Sequence, residues 1–182
     1  MIKILRLFPI LLLMFSLPLQ ASCASLVFSL PHRADVISSY GTAPHKELSD
    51  QEIEVLIWNI YKGKKSLFQK YFTSLAHNKD LVLVQEAIEL DDGPHPYLDE
   101  LLNLQWTFAE SFDGLANNLS TGVMTGSKAQ PIYNDFIRSL ALEPFTSTPK
   151  MSLIQYYAIR AQNERLMVIN THQINFVSNK AF

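Results

Sequence analysis

The sequence predicts an α/β domain, and three patterns indicate it. Three short apolar runs typical of buried strands each end in a polar residue, at residues 55–59, 81–86 and 166–172. A helical pattern lies between the first two runs, and this strand-helix-strand order predicts neighbouring strands of one sheet. The second half reads as strand after strand. The 182 residues suit a single domain.

The elements follow from local patterns. The first core strand is expected at 54–60, and Ser66 is the expected N-cap of a helix. The apolar positions of that helix recur at near-helical spacing; they are Leu67, Phe68, Tyr71, Phe72 and Leu75. The second core strand begins at Leu81. Further strands are expected at 105–111, 121–127, 131–137, 152–160 and 165–170, with a tight link at residues 163–164 between the last two.

The first 24 residues predict a secretory signal peptide rather than part of the fold. Lys3 and Arg6 precede an apolar stretch at 7–17, which Pro9 interrupts and Pro18 ends, and small residues follow at 21–24. The stretch is short for a transmembrane helix, so an uncleaved anchor is the less favoured alternative. We therefore expect an exported protein, either periplasmic or secreted, with membrane association through the signal or a lipid anchor left open.

Cys23 is the single cysteine, so the mature chain has no internal disulfide. It lies near the position of the acylated cysteine of lipoproteins, but Leu19 is one residue too far upstream. Cleavage is therefore favoured over lipidation. Residues 25–52, with turn-like segments, predict an N-terminal arm, and residues 53–182 form the rest of the domain.

Composition excludes two classes of protein. The chain is 48% hydrophobic with 11% aromatic residues, which is unlike a disordered protein. The formal net charge of −2 argues against a strongly basic nucleic-acid binder, whose affinity would come mainly from Lys and Arg on phosphates. An enzyme that holds one phosphodiester through a metal ion remains compatible with this charge.

The polar residues that end the apolar runs are the candidate site. Glu86 offers the carboxylate that a hard cation such as Mg²⁺ prefers, Asn59 an amide beside it, and His172 an imidazole for a phosphate oxygen or for general acid catalysis. Each residue alone is better explained by an ordinary strand end: an exposed carboxylate, a turn-forming asparagine, a rim histidine. Asn170 and Asn175 flank His172 and either fix its ring or are loop residues.

Together the segments resemble the endonuclease/exonuclease/phosphatase superfamily, especially its small, poorly characterised bacterial members. The resemblance covers about Ile53 to the C-terminus. The matching segments are Ile-Trp-Asn-Ile at 57–60, Val-Gln-Glu-Ala at 84–87, Gly-Val-Met-Thr at 122–125 and Asn-Thr-His-Gln-Ile-Asn-Phe at 170–176. The Gln-Glu and Asn-Thr-His segments are the most specific.

The resemblance implies a fold and a chemistry. The fold would be a four-layer sandwich of two packed mixed β-sheets flanked by helices. The reaction would be hydrolysis of phosphodiester or phosphomonoester bonds with Mg²⁺ or Mn²⁺. By analogy Glu86 is the metal ligand and Asn59 is its neighbour at the metal. His172 contacts the scissile phosphate and, with Asn59 and Asn170, belongs to the catalytic residues, while Asn175 joins His172 in binding the substrate. The substrate, a nucleic acid or a small or lipid phosphoester, is not chosen by the resemblance.

One departure from the family pattern limits this expectation. No Gly-Asp-x-Asn segment and no Ser-Asp-His segment follows His172, although the family uses them to position water and to supply the general base. We therefore expect a C-terminally truncated member, without efficient hydrolysis as a 182-residue product and with open strand edges and poor solubility. The alternative is a non-catalytic exported binding module on the same scaffold.

Overall fold

The computed structural model describes residues 28–90, 93–94, 98, 101, 103–115, 119–144 and 146–174. The predicted signal peptide, Cys23 and Asn175 lie outside these residues. None of the described helices is long and apolar enough to cross a membrane.

The described residues form eleven strands and one α-helix. Their bounds are β1 Phe28–Ser29, β2 Ile37–Tyr40, β3 Glu47–Leu48, β4 Val55–Asn59, α1 Phe68–Ala76, β5 Leu81–Leu90, β6 Gly93–Pro94, β7 Gln105–Gly114, β8 Leu119–Ser127, β9 Tyr133–Arg138, β10 Met151–Ile159 and β11 Arg165–Thr171. Short 3-10 turns occur at Arg33–Asp35 and Tyr61–Gly63. The strands predicted from apolar runs and alternation are confirmed within a few residues.

Two mixed sheets contain these strands. The larger has seven strands in the order β1-β7-β8-β5-β4, with β2 also on β7 and β6 on β5. The smaller has four strands in the order β11-β10-β3, and β9 also pairs with β10. Strand β4 runs parallel to β5, as the strand-helix-strand order predicts, and most other pairs are antiparallel. Residues 28–52, the described part of the expected arm, contribute β1 and β2 to the larger sheet and β3 to the smaller.

The core lies on both faces of the larger sheet. On one face, Phe72 and Ala76 of α1 pack against Val84, Trp106 and other buried side chains. On the opposite face, alternating residues of the larger sheet meet the smaller sheet; the buried residues of this layer include Leu81, Leu83, Tyr157 and Val168 in one cluster, and Ala109, Val123, Met151 and Leu153 in another. Burial of each large apolar side chain stabilises the folded state by about 1.5–3 kcal/mol relative to exposure, before the loss of conformational entropy is subtracted.

The expectation of helices flanking both sheets is met on one side. Among the described residues α1 is the one α-helix, and it packs on the larger sheet. The outer face of the smaller sheet exposes Tyr133, Ile137, Met167 and Ile169. Strands β4 and β11 also pair on one side only within the described part of the chain. The structure therefore shows two packed sheets with one described helix, and not four layers.

The predicted N-cap Ser66 is wrong. The residue before α1 is Leu67, which has a left-handed backbone with φ of 62° and makes no side-chain capping bond. A preceding turn, closed by the bond from the Phe68 N–H to the Lys65 carbonyl oxygen at 3.2 Å, sets the start of the helix instead. The buried rings of Phe68 and Phe72 fix that start, since tertiary packing outweighs a capping preference of about 1 kcal/mol.

The half-buried Glu110 on β7 predicts a pH dependence of stability. Burial raises the pKa of its carboxyl, and the nearby negative charge of Asp113 acts in the same direction. The folded state then binds the proton more tightly than the unfolded state, so this group's contribution to stability falls as pH rises from its ordinary pKa of 4.5 through the raised value. We expect Glu110→Gln to raise the free energy of unfolding at pH 7.5 by up to about 1 kcal/mol, after allowing for solvent screening, with little gain at pH 4. Urea denaturation at both pH values checks this, and an equal gain at both would contradict it.

Candidate active site

A cleft of about 530 Å³ opens where the larger sheet meets the loop before β10. Glu86 from β5 and His172, just after β11, both line it. Lys62 and Lys64 from the segment after β4 and Lys150 from the loop before β10 line the same cleft. Glu86 and His172, which end two of the predicted apolar runs, are therefore brought together, with three cations beside them.

Glu86 lies at a β-bulge. The pairing of β5 with β8 shifts register between Gln85 and Ala87, and Glu86 has a positive φ of 53°. A non-glycine residue in this conformation costs roughly 1–3 kcal/mol, and such strain concentrates at functional sites. The bulge interrupts the alternation of side chains along β5, and it allows the carboxylate to line the cleft rather than the packed core.

A second bulge lies at the same level of the sheet. The pairing of β7 with β8 shifts between Glu110 and Phe112, and the buried Ser111 donates a hydrogen bond to the Pro149 carbonyl oxygen at 2.8 Å. Gly122 on β8 lies between the two irregularities, paired with Ala87 on one side and Glu110 on the other. The two bulges therefore shape adjoining walls of the cleft.

Asn59 positions the carboxylate of Glu86. Its Nδ2 donates to Glu86 Oε1 at 2.9 Å, while its Oδ1 accepts from the Tyr61 N–H at 3.0 Å. Asn59 therefore forms the strand-end turn expected of an ordinary asparagine and also orients Glu86. The Asn59 amide oxygen keeps a second lone pair, so the predicted place of Asn59 at the metal stays a prediction.

His172 lies beside the same carboxylate oxygen. Its Nε2 is 3.7 Å from Glu86 Oε1, too long for a hydrogen bond, and its N–H on the backbone bonds to the Met151 carbonyl oxygen at 2.9 Å. Burial lowers the pKa of the imidazole, the charge of Lys150 adds to this, and Glu86 opposes it. His172 is therefore neutral near pH 7, with one ring N–H to donate.

The cations of the cleft were not predicted from the sequence. Burial lowers the pKa of Lys62, and the charge of Lys64 acts in the same direction. Among the described residues no ion pair holds Lys62; its Nζ lies 5.8 Å from the centre of the Phe112 ring. Lys150 pairs with Glu143 at 2.9 Å, with both side chains mostly buried. Burial alone would raise the pKa of Glu143, but hydrogen bonds from Lys150 and Thr146 bring it below its usual value.

The sequence signal for Lys62 is its place two residues after the Ile-Trp-Asn-Ile segment at 57–60. Glu143 and Lys150 lie in the long loop between β9 and β10, where no periodicity marks a site.

Asn170 ties the two sheets together instead of contacting His172. Its buried amide accepts from Gln85 Nε2 at 2.7 Å and donates to the carbonyl oxygens of Val84 at 3.2 Å and Met124 at 2.9 Å. None of the hydrogen bonds of the described residues joins its side chain to His172. Asn170 therefore fixes the end of β11, and with it the backbone that leads to the imidazole.

We expect Asn170→Ala to lower the free energy of unfolding by about 2–4 kcal/mol, because it leaves several buried polar groups unpaired. The matched control is Asn134→Ala, which removes one half-buried bond from Gln155 Nε2 at 2.9 Å and should cost about 1 kcal/mol. Urea denaturation measures both. Equal losses in the two variants would show that the inter-sheet bonds contribute no more than a single surface bond.

The side chains of the cleft fit some metal ions and not others. No group of three or more His, Cys, Asp or Glu side chains in the described residues is arranged to hold a metal ion alone. This does not fit structural zinc, which takes four protein ligands. It fits Mg²⁺ or Mn²⁺, which are often held by one or two carboxylates with water and substrate phosphate. Glu86 Oε2 takes part in none of the described hydrogen bonds, so it is the oxygen left for such an ion.

Comparison with known proteins locates the chain among bacterial relatives. No protein-family model matches it. It is 32% identical over 126 residues to a UPF0294 protein of Photorhabdus laumondii, covering 69% of this chain and 45% of that protein. A UPF0294 protein of Klebsiella pneumoniae is 33% identical over 129 residues, covering 70% and 46%. The chain therefore spans somewhat less than half the length of the curated relatives it matches.

A solved structure gives the fold. An endonuclease/exonuclease/phosphatase family protein from Leptotrichia buccalis superposes with a TM-score of 0.55 at 12% identity, covering 71% of this chain and 58% of that one. At this identity the match establishes the fold alone. The resemblance predicted from the sequence segments is confirmed: the chain has the endonuclease/exonuclease/phosphatase fold and is related in sequence to the UPF0294 proteins.

Proposed function

We propose that this chain carries the metal- and phosphate-binding part of a phosphoester hydrolase site. The observation that carries the proposal is Glu86, held at a strained bulge by Asn59, with one oxygen free and with His172 beside it. Strain kept at a cleft indicates a position selected for its geometry. A bound Mg²⁺ or Mn²⁺ would polarise a phosphoryl oxygen and neutralise developing charge.

The residues of the chain have separate roles in this proposal. Glu86 Oε2 holds the cation, and Asn59 fixes the carboxylate rotamer. His172, neutral at pH 7, donates its ring N–H to a phosphate oxygen, where a donor becomes more valuable as charge grows in the transition state. Lys62 supplies a positive charge that no described ion pair occupies. Asn170 positions β11. Asn175 remains a predicted phosphate contact outside the described residues.

The substrate is proposed as a phosphodiester or phosphomonoester, and the protein as exported through residues 1–24. The helix layer on the outer face of the smaller sheet is likewise a proposal for the whole protein. The alternative is a non-catalytic exported binding module that keeps the scaffold. Mn²⁺ binding separates the two, because the proposed site should bind Mn²⁺ and lose it in Glu86→Gln, whereas a module that keeps only the scaffold should show no such dependence.

The test of the site is a pair of binding measurements. Mn²⁺ binding is followed by electron paramagnetic resonance, with and without methyl phosphate, and methyl phosphate binding by calorimetry, with and without Mn²⁺. Because the ion and the phosphate would share the cleft, each should raise the affinity of the other by the same factor. Absence of Mn²⁺ binding, or Mn²⁺ binding that methyl phosphate leaves unchanged, would overturn the proposal.

His172→Gln is expected to lower methyl phosphate affinity in the presence of Mn²⁺ by about 10-fold or more, since a hydrogen bond to a charged group contributes about 1.5–3 kcal/mol. Mn²⁺ affinity without phosphate should stay within about twofold of wild type, because in this proposal Glu86 and not His172 holds the ion. The control is His77→Gln, an exposed histidine after α1 and away from the cleft. Equal losses in the two variants would remove His172 from the site.

A further inference from the structure

A second hollow, which we call the apolar groove, adjoins the cleft. It has a volume of about 930 Å³ and is lined mainly by apolar side chains. Its exposed members are Leu30, Leu115, Ile137, Leu140 and Leu142, and Leu140 is fully exposed. These residues come from four separate parts of the described chain. Contiguous exposed apolar side chains of this kind mark binding sites for apolar ligands or partners.

The apolar groove and the cleft share part of their lining. Phe28 and Pro149 line both. The loop between β9 and β10 forms a shared wall, because Leu140 and Leu142 face the groove while Lys150 faces the cleft. A single molecule with a polar and an apolar end could therefore occupy both at once.

Two arginines also line the apolar groove. Arg138 Nη2 donates to the Glu110 carbonyl oxygen at 3.0 Å. The guanidinium of Arg33 lies 5.0 Å from the centre of the Phe136 ring and 3.7 Å from Asp135, and most of its side chain is exposed. The alkyl stems of both can contact an apolar ligand. The five exposed aliphatic side chains suit a hydrocarbon better than a nucleic-acid strand, which binds through cations and stacking aromatic rings.

We propose that the substrate is an amphiphilic phosphoester whose hydrocarbon tail lies in the apolar groove while its phosphate lies in the cleft. This rests on the proposed function, since it takes Glu86, His172 and Lys62 as the phosphate end of the site. The occupant is the tail of the same molecule, because the groove and the cleft share Phe28 and Pro149. The apolar groove then determines specificity for lipid-like over water-soluble phosphoesters.

The test is a chain-length series on the full chain with saturating Mn²⁺. Binding of methyl, butyl, hexyl and octyl phosphate is measured by calorimetry below the concentration at which they form micelles. Each methylene that enters the apolar groove should raise affinity about three- to fourfold, the factor that corresponds to about 0.8 kcal/mol per buried methylene. The variant Leu140→Gln/Leu142→Gln should abolish this gain and leave methyl phosphate binding unchanged. The matched control, Leu75→Gln, replaces an exposed leucine of α1 and should keep the gain.

The outcomes separate this inference from the proposed function. Methyl phosphate binding without a chain-length gain overturns the apolar groove as a tail site and leaves the proposed function intact. A gain that survives in Leu140→Gln/Leu142→Gln, or one equally strong for an uncharged octyl glycoside, also overturns it. If sedimentation shows a dimer or a complex that the double variant dissociates while octyl phosphate binding is unchanged, the groove is a protein interface and the inference fails. Failure of methyl phosphate itself to bind overturns both.

Discussion

Glu86→Gln should lower the affinity of the chain for Mn²⁺ by about 10- to 100-fold, at least the loss that removing an outer-shell partner of a metal causes. The substitution keeps the size of the side chain. It also keeps an oxygen that can accept the hydrogen bond from Asn59 Nδ2, which is 2.9 Å long in the unaltered chain. It removes the charge that a hard divalent cation requires. Titration with Mn²⁺ followed by electron paramagnetic resonance measures the change.

The control for this prediction lies on the same strand. Glu89→Gln replaces another half-buried carboxyl of β5, whose pKa burial raises, and which accepts a hydrogen bond from Ser38 at 3.2 Å. It is not among the residues that line the cleft, so Mn²⁺ affinity should not change. If both variants, or neither, lose Mn²⁺ affinity, the ion does not bind through Glu86, and the metal-dependent hypothesis loses its ligand.

The position of Glu86 in the sheet could be predicted from the sequence, but its conformation could not. A run of apolar residues ending in a carboxylate predicts a strand that ends there, but β5 continues to Leu90 and Glu86 lies inside it. Its positive φ depends on the register of β5 against β8, which is a contact between residues about 40 positions apart. Local patterns carry no information about such a register, so the bulge appears only in the assembled sheet.

The same distinction explains the other differences. Asn170 lies on the same inward face of β11 as Val168, so strand alternation predicts that it is buried. Its partners Val84 and Met124 belong to the other sheet, and no local pattern indicates them. Lys150 and Glu143 reach the cleft from a loop whose path depends on the bond between Ser111 and Pro149. Ser66 was a good cap by preference alone and lost to the packing of the phenylalanines of α1. The neighbouring strands β4 and β5 and the strand ends at Asn59 and before His172 were thus predictable. The continuation of β5 past Glu86 and the side-chain directions at the bulges were not.

Gly122→Ala should destabilise the fold by about 3 kcal/mol or more, the upper range for an overpacked site. A Cβ at this position would lie 2.0 Å from the Ala109 carbonyl oxygen and 2.9 Å from its carbonyl carbon. Both atoms belong to the backbone of β7, so no side chain can move aside to make room. The added methyl group must push β7 and β8 apart beside the bulge in their own pairing and opposite the bulge between β5 and β8.

The size of this effect is judged against a second glycine. Gly63→Ala places a residue at φ of +67°, but the nearest atom to its Cβ is 3.4 Å away, on the movable ring of Phe68. Its cost should be the left-handed backbone alone, about 1–2 kcal/mol. Urea denaturation measures the free energy of unfolding of both variants, so it compares the cost of a backbone clash in Gly122→Ala with that of a left-handed backbone in Gly63→Ala. If Gly122→Ala cost no more than Gly63→Ala, the close approach of β7 to β8 would not be what requires glycine at position 122. Recovery of Gly122→Ala only from the insoluble fraction, where the unaltered chain and Gly63→Ala are soluble, agrees with the prediction, because a loss of this size is a large part of the total stability of a small domain.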